Sequence, residues 1–285
     1  MGPEVICLKQ FYFFCRRHRR YVLIFLGMYY GCLFRWKETR SIRTAYCFVQ
    51  MVDDILDGDR QFDSDIGLFV DSIIEELKTE KFAHANDAST LAAHFYQAIS
   101  PRADATIIKK KLVELVETLK IDYERRVNCR SLPRSTLEIQ HRRTFELSLD
   151  ITLALVDSKT RTENCPGIVN SLIWCSVMRD LREDLSAGII NIPQEVLSLP
   201  GRALTAADID SILNHQAVRQ WIRSEFLRGQ ENLETAKESI ERLNEESGKR
   251  IITIFWKSIK AYVPRYERQN LNILSPNYPP ENTCE

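Results

Sequence analysis

The sequence lacks several features that would identify common classes of protein. Its 285 residues carry 39 basic and 39 acidic side chains, and this formal net charge of +0 does not favour binding to nucleic acid. The apolar run at residues 21–34 is shorter than the ~20 residues that span a bilayer, and no small-residue cleavage site follows it. We therefore expect a buried helix there, no nucleic-acid partner and at most peripheral contact with a membrane.

Paired cysteines and alternating strands are also missing. The 8 cysteines are scattered without a CxxC pair, which predicts reduced thiols in a cytoplasmic protein. Glycine is absent between Gly67 and Gly167, and no segment alternates at period two. From residue 66 to 165 the apolar residues recur every three or four positions, a spacing typical of helices with one buried stripe. An all-α bundle without a visible domain boundary is predicted.

The first segment with candidate chemistry is an apolar helical run that delivers carboxylates at one end. It reads Tyr46-Cys-Phe-Val-Gln50-Met-Val-Asp53-Asp54-Ile-Leu-Asp57-Gly58. Asp53 and Asp57 are four residues apart, so a helix places both on one face, about 5–6 Å apart at Cβ. Asp54 points away by roughly a third of a turn, and Gly58 is placed to end the helix.

A second acidic segment lies far downstream and has the same spacing. It reads Trp174-Cys-Ser176-Val-Met-Arg179-Asp180-Leu-Arg182-Glu183-Asp184-Leu-Ser-Ala-Gly188-Ile-Ile-Asn191-Ile-Pro193. Ser176, Asp180 and Asp184 follow one another at four-residue intervals and stack on one helix face. Two such clusters, facing each other across a pocket, would suit several Mg²⁺ ions that also hold a diphosphate. Magnesium binds oxygen ligands, keeps waters, and uses carboxylates together with substrate phosphates.

At these residues the sequence resembles the squalene/phytoene synthase family. The first motif is similar to the family's Tyr-Ala-Phe-Cys-Arg-x-x-Asp-Asp-x-x-Asp, and the second to Asn-x-x-x-Asp-x-x-Glu-Asp-x-x-x-Gly-x-x-Tyr-x-Pro. The resemblance implies one all-α class I isoprenoid synthase domain with a central pocket over residues 1–285, and a loosely ordered tail at 266–285. It implies Asp53, Asp57, Asp180 and Asp184 as catalytic residues. It also implies three Mg²⁺ ions bound by Asp53, Asp54, Asp57, Ser176, Asp180, Glu183 and Asp184.

Three departures from the family's pattern bear on the reaction. Gln50 stands where the family has Arg, which removes one charge-assisted contact to phosphate. Ser176 replaces the family's Asn, but serine is also a metal ligand in terpene cyclases. Head-to-head synthases carry Val-Ala-Gly-x-Val-Gly on a helix that matches residues 145–155, where this chain has no glycine. Branched side chains there would fill the space that a second prenyl chain needs.

Further residues are expected to contact the substrate. They are Tyr46, Gln50, Arg142, Arg143, Arg179, Arg265 and Tyr266. Arg142 and Arg143 lie in a mostly apolar helix, where a guanidinium could bind a diphosphate bidentately; a solvated pair beside a core stripe is an equally weighted alternative. Arg265-Tyr266 resembles an Arg-Tyr pair that terpene cyclases place after the second motif.

Together, the resemblance and the missing glycines predict a Mg²⁺-dependent sesquiterpene cyclase. It would ionise farnesyl diphosphate, cyclise the chain and release diphosphate, and its divergence resembles fungal humulene-type synthases. One alternative is a head-to-head prenyltransferase of the squalene or phytoene synthase type. Another is a helical scaffold without catalysis, against which the retained acids argue, because unneutralised like charges in a pocket destabilise a protein. The prenyl chain length and the oligomeric state are left open.

Overall fold

The computed structural model describes residues 2–17, 39–199, 202–203 and 209–274. The described residues are largely helical, and the prediction of an all-α fold is confirmed. One pair of two-residue antiparallel strands is present. The helix expected at residues 21–34 lies outside the described residues. Within the described ranges, no helix combines the length and the apolar character that crossing a membrane requires.

The helices and strands follow one another in this order. They are α1 Pro3–Arg17, α2 Arg40–Leu56, α3 Ile66–Thr79, α4 Asp87–Ile99, α5 Ala105–Val127, α6 Arg134–Leu155, a 3₁₀ turn Thr162–Asn164, α7 Pro166–Ser186, α8 Gln194–Leu197, β1 Ser198–Leu199, β2 Arg202–Ala203, α9 Ile209–Asn214, α10 Gln216–Arg242, α11 Glu246–Gln269 and α12 Leu271–Leu274. The chain divides into two compact units, Met1–Lys120 and Ile121–Glu285. That residues 1–285 form a single domain stays a prediction.

In the first unit, α2 packs against α4, and α1 packs against both of them. Its core includes fully buried side chains from α2 and α4, namely Phe48, Val52, Leu91 and Phe95. The segment before α3 is rich in polar residues. Asp65 in that segment is the N-cap of α3, because its Oδ1 accepts a hydrogen bond from the backbone N–H of Leu68 at 2.8 Å.

In the second unit, α7 packs chiefly against α10, and α6 and α11 also contact α7. Trp174 of α7 lies among three rings, with centroid distances of 6.0 Å to Phe226, 6.3 Å to Tyr262 and 5.6 Å to Tyr266. Gly229 of α10 permits this approach, because a Cβ there would lie 2.5–2.7 Å from carbon atoms of the Trp174 indole. The helix that carries the second acidic motif is therefore firmly packed, through Trp174, against α10 and α11.

Both motif helices end where glycine allows the chain to turn. Helix α2 ends at Leu56, and Gly58 follows with a φ of 77°, as predicted. Helix α7 begins with Pro166 at its first turn, a position where the missing N–H costs nothing. After its end, Gly188 has a φ of 85°, and a Cβ there would lie 3.3 Å from the backbone oxygen of Arg126. The chain therefore leaves α7 close against the end of α5.

The end of the chain differs from the expectation in part. A loosely ordered tail was predicted from residue 266, but α11 continues through Pro264 to Gln269. Tyr266 is only 3% exposed within the core of the second unit. Burial of this aromatic face offsets the hydrogen bond that a proline removes from a helix interior. Residues 275–285 lie outside the described residues.

Candidate active site

The first acidic motif contains a chain of hydrogen bonds along one face of α2. The Tyr46 hydroxyl donates to Gln50 Oε1 at 3.1 Å, and Gln50 Nε2 donates to Asp54 Oδ1 at 3.0 Å. Gln10 of α1 donates to the other carboxylate oxygen of Asp54 at 2.7 Å. Gln10 is itself held by the Arg60 guanidinium at 2.6 Å. Tyr46 and Gln50, predicted to bind substrate, are thus joined to each other and to a neighbouring acid.

The three acids of this motif have different environments. Asp54 is 2% exposed, and both of its oxygens accept hydrogen bonds from glutamine amides. Asp53 and Asp57 are half-buried and lie one helical turn apart, since the Asp57 N–H donates to the Asp53 backbone oxygen at 2.8 Å. Of the three predicted ligands, Asp53 and Asp57 thus lie one turn apart at half-buried positions, whereas Asp54 joins α1 to α2.

The second motif lies entirely on α7, in the second unit. Ser176, Asp180 and Asp184 are half-buried and follow one another along one face, as their spacing predicts, whereas Glu183 is exposed. The Arg179 guanidinium contacts the Asp180 carboxylate, with Nε 3.0 Å from Oδ1 and 2.9 Å from Oδ2. Arg179, a predicted substrate contact, therefore compensates the charge of a predicted metal ligand in this structure.

Asp184 is connected to a buried polar network behind the motif. Its Oδ2 accepts from Asn191 Nδ2 at 2.8 Å, while Asn191 Oδ1 accepts from Arg125 Nη2 at the same distance. His141 Nε2 also lies 3.2 Å from Asn191 Oδ1. Burial, followed by the charge of Arg125, lowers the pKa of His141 to about 4, so its ring is neutral at pH 7.

A small cavity of about 80 Å³ lies beside this motif, within the second unit. Its walls include Leu137, His141, Ile173, Trp174, Val177 and Trp221, with Asn191 and Arg142 also on its lining. Ile173 and Val177 stand on the face of α7 that carries Asp180 and Asp184 further along. The cavity is well below the 300–1,000 Å³ of typical ligand pockets. Five charged side chains also line it, namely Arg134, Glu138, Arg142, Glu225 and Arg228, so it is a small recess of mixed character.

Of the remaining predicted substrate contacts, two are at least half-buried and two are exposed. Arg142 lines the recess and donates to Asn170 Oδ1 at 2.9 Å, whereas Arg143 is exposed on α6. Arg265 is exposed on α11, while its neighbour Tyr266 is buried and donates to Met178 Sδ at 3.6 Å. Burial raises the pKa of Tyr266. The side chains of Arg265 and Tyr266 thus lie in two different environments, the first exposed and the second buried.

Comparison with known proteins gives one informative match. No model of a protein family matches the sequence, and no curated protein matches it. Among solved structures, squalene synthase HpnC from Alicyclobacillus acidocaldarius is similar, with a TM-score of 0.60 and 18% identity over 81% of this chain and 83% of that chain. The chain has a squalene synthase-like fold. This confirms the squalene/phytoene synthase-like architecture and lends no support to the resemblance to fungal sesquiterpene cyclases.

Within the squalene synthase-like fold, each acidic motif offers an oxygen donor set that fits Mg²⁺. Over the described ranges of the chain, no three Asp, Glu, His or Cys side chains are gathered into a complete ion site. Magnesium does not require one, because it commonly uses one or two carboxylates, several waters and substrate phosphates. The pairs Asp53–Asp57 and Asp180–Asp184 match that mode of binding.

Reasoning from the sequence missed the residues that support the acids. Gln10 is 44 positions from Asp54, and Arg125 is 66 positions from Asn191, so helical periodicity does not connect them. One local signal was present: Asn191 stands at the position of Tyr in the Gly-x-x-Tyr-x-Pro part of the second motif. A polar exchange at a motif position indicates that this side chain has a different partner here.

Proposed function

We propose that the protein is an enzyme that ionises a prenyl diphosphate with the help of Mg²⁺. The observation that carries the proposal is the pair of helices, α2 and α7, that each present carboxylates one turn apart in a squalene synthase-like fold. Aligned acids at half-buried positions repel one another unless a cation neutralises them. A scaffold protein has no evident use for two such arrangements.

The residues that would hold Mg²⁺ are Asp53, Asp57, Ser176, Asp180 and Asp184. When bound, the metal would neutralise negative charge as the bond between the allylic carbon and the diphosphate oxygen breaks. Asp54 and Glu183 are not part of this set, because Asp54 is buried between two glutamines and Glu183 is exposed.

Two side chains would bind the departing diphosphate. Arg179 contacts Asp180, and a cation that binds Asp180 would free the guanidinium for phosphate oxygens, which it can bind bidentately. Arg142 lies at the lining of the recess, and its guanidinium would bind phosphate in the same way. The released diphosphate itself can accept the proton that a final olefin-forming step gives up.

Two reactions fit this ionisation. Head-to-head condensation of two prenyl diphosphates is favoured by the likeness to a squalene synthase. It releases two diphosphates together with two protons when it ends in an olefin, or with one proton when NADPH supplies a hydride. Cyclisation of a single C15 chain, with release of one diphosphate and one proton, is favoured by α6. That helix is continuous from Arg134 to Leu155 and has no glycine where head-to-head synthases have two. We place condensation first, because it rests on a similarity of the whole fold, and keep cyclisation as the second candidate.

Product analysis decides between these reactions. The protein is incubated with farnesyl diphosphate and Mg²⁺, with and without NADPH, and the extract is analysed by gas chromatography and mass spectrometry. A C30 product supports condensation, and its change from an alcohol or cyclopropyl intermediate to a hydrocarbon on adding NADPH supports the squalene type. A C15 hydrocarbon independent of NADPH supports cyclisation. Product that persists in Asp184→Asn, or is lost in the exposed loop control Asp63→Asn, contradicts the site.

A further inference from the structure

The carboxylate of Asp184 is held from behind by one side-chain amide. Asn191, in the segment that follows α7, donates from Nδ2 to Asp184 Oδ2 at 2.8 Å. Asn191 is 8% exposed, so this hydrogen bond is largely screened from water. A bond between a neutral donor and a carboxylate in such a place is stronger and more directional than the same bond at the surface.

The orientation of the Asn191 amide follows from its other partners. Its Oδ1 accepts from Arg125 Nη2 at 2.8 Å and lies 3.2 Å from His141 Nε2. A guanidinium only donates, and a neutral imidazole whose Nε2 faces an oxygen carries its proton there. With the oxygen of the amide turned to two donors, its NH₂ group must point the other way, towards Asp184.

Arg125 is fixed in turn by several elements of the second unit. It is 4% exposed, and Nη1 donates to Asp122 Oδ1 at 2.7 Å and to Gln140 Oε1 at 3.2 Å. Nη2 also donates to the backbone oxygen of Ile190 at 3.1 Å. The guanidinium therefore clamps the segment after α7 to α5 and α6. Such a buried cation has little freedom to turn, because any rotation leaves a donor without its acceptor.

We infer that Asn191 is a positioning residue for Asp184, and that Arg125 sets the direction in which Asn191 donates. This inference rests on the proposed function, in which Asp184 is a Mg²⁺ ligand. A metal ligand must present its oxygen within a narrow range of angles, and the partner behind the ligand commonly controls that angle. Asn191 does this by donating from Nδ2 to Asp184 Oδ2. Without that hydrogen bond, the α7 backbone alone would leave the carboxylate able to rotate about its side-chain bonds.

The variant Asn191→Asp separates positioning from structural support. Aspartate keeps an oxygen for Arg125 and His141 to donate to, so the clamp on the segment is retained. It replaces the donor that faces Asp184 with a second negative oxygen, which turns an attraction into a repulsion. By charge alone, an added carboxylate near the site would attract Mg²⁺ more strongly. The same charge would repel diphosphate, so weaker binding by Asn191→Asp indicates misorientation of Asp184 only when the uncharged variant Asn191→Ser also binds more weakly.

The test measures two quantities on purified full-length protein. Calorimetric titration gives the affinity for inorganic diphosphate in the presence of Mg²⁺, and thermal unfolding without metal shows whether each variant is folded. Asp184→Asn tests the metal site itself. Asn164→Asp is the matched control, because Asn164 is an exposed residue of the same unit whose Oδ1 accepts from the Arg161 N–H at 2.7 Å, a contact that aspartate keeps.

We expect Asn191→Asp to remain folded and to bind Mg²⁺ and diphosphate 10- to 100-fold more weakly, the range known for partners of metal ligands. Asn164→Asp should bind as the wild type does. If Asp184→Asn binds weakly while Asn191→Asp binds normally, the positioning role is wrong and the proposed function stands. Normal binding by Asp184→Asn, or none by the wild type, overturns the proposed function together with this inference.

A second variant covers the case in which Asn191→Asp does not fold. Asn191→Ser removes the amide without adding charge and leaves room for water beside Arg125. Weaker binding of diphosphate by this folded variant supports the positioning role. Binding equal to that of the wild type refutes it.

Discussion

The packing behind the second motif predicts that Gly229→Ala destabilises the protein. Gly229 lies within α10, where alanine would ordinarily stabilise a helix by about 1 kcal/mol. The indole of Trp174 opposes that gain. An added Cβ would lie 2.5–2.7 Å from three of its ring carbons, roughly 1 Å inside the 3.5–4.0 Å at which carbon atoms attract one another.

The ring has little room to move away. Tyr266 lies at a centroid distance of 5.6 Å and Phe226 at 6.0 Å, and Trp174 itself is only 4% exposed. Overpacking of a core costs about 1–3 kcal/mol, and this site belongs at the upper end of that range. After subtraction of the helix gain, the net loss is about 2 kcal/mol, which corresponds to roughly 4–8 °C in Tm for a unit of this size.

Equilibrium unfolding in urea, followed by tryptophan fluorescence, measures this loss. Three of the 4 tryptophans, Trp174, Trp221 and Trp256, belong to the second unit and report on it. Combining Gly229→Ala with Trp174→Leu removes the clash, so the two losses should fall short of additivity by more than about 1 kcal/mol. A single variant as stable as the wild type, or an additive double variant, would refute the contact.

Three further predictions concern other parts of the chain. Asp54→Asn should cost about 1–3 kcal/mol of unfolding free energy, because it turns an amide towards buried amide donors. Asp53→Asn should cost under about 0.5 kcal/mol. Equal losses of the two variants in urea unfolding would contradict the structural role of Asp54. Hydrogen bonds from Ser158 and neighbouring groups lower the pKa of Glu245 to about 2 from 4.5, so its stabilisation is present above pH 4.5 and lost as the pH falls towards 2. Acid titration of Glu245→Gln should therefore show a flatter profile in that window, and an unchanged profile would refute this. Leu149→Gly should lose about 3–6 kcal/mol, from a core void and from helix entropy, and a thermal midpoint near the wild type's would contradict its burial.

Much of the fold follows from local patterns in the sequence. The spacing of apolar residues predicts the helices of both units, and Gly58 marks the end of the first motif helix correctly. Ser176, Asp180 and Asp184 share one helix face because a four-residue spacing has only one geometric result on a helix. The apolar spacing of residues 216–262 is likewise helical, and α10 and α11 occupy this segment.

Patterns along the sequence do not predict the structure where contacts between residues far apart in the chain determine it. Pro264 indicates the end of a helix, yet α11 continues because Tyr262 before that proline and Tyr266 after it both pack against Trp174. Similarly, branched side chains at residues 145–155 were expected to fill the space that a second prenyl chain needs. Leu149 on that helix is 3% exposed and belongs to the hydrophobic core of the second unit, which only the tertiary packing reveals.

The positions of the acids in the candidate site were predictable from the sequence, whereas the residues that hold these acids through hydrogen bonds were not. Spacing alone places Asp180 and Asp184 on one helix face and Asp57 one turn after Asp53, since periodicity relates residues within one helix. It could not separate Asp54 from the proposed metal ligands, because that distinction depends on Gln10 of another helix. The same limit applies to Arg125 and Asn191, which meet only after α5 and the segment following α7 have packed together.

The most direct measurement of the central claim is release of diphosphate from farnesyl diphosphate as a function of Mg²⁺. The account predicts release by the wild type, complete loss with a chelator, recovery when Mg²⁺ is restored, and loss in both Asp53→Asn and Asp184→Asn although these variants remain folded. Release that continues without a divalent metal would contradict it, and so would undiminished release by either variant.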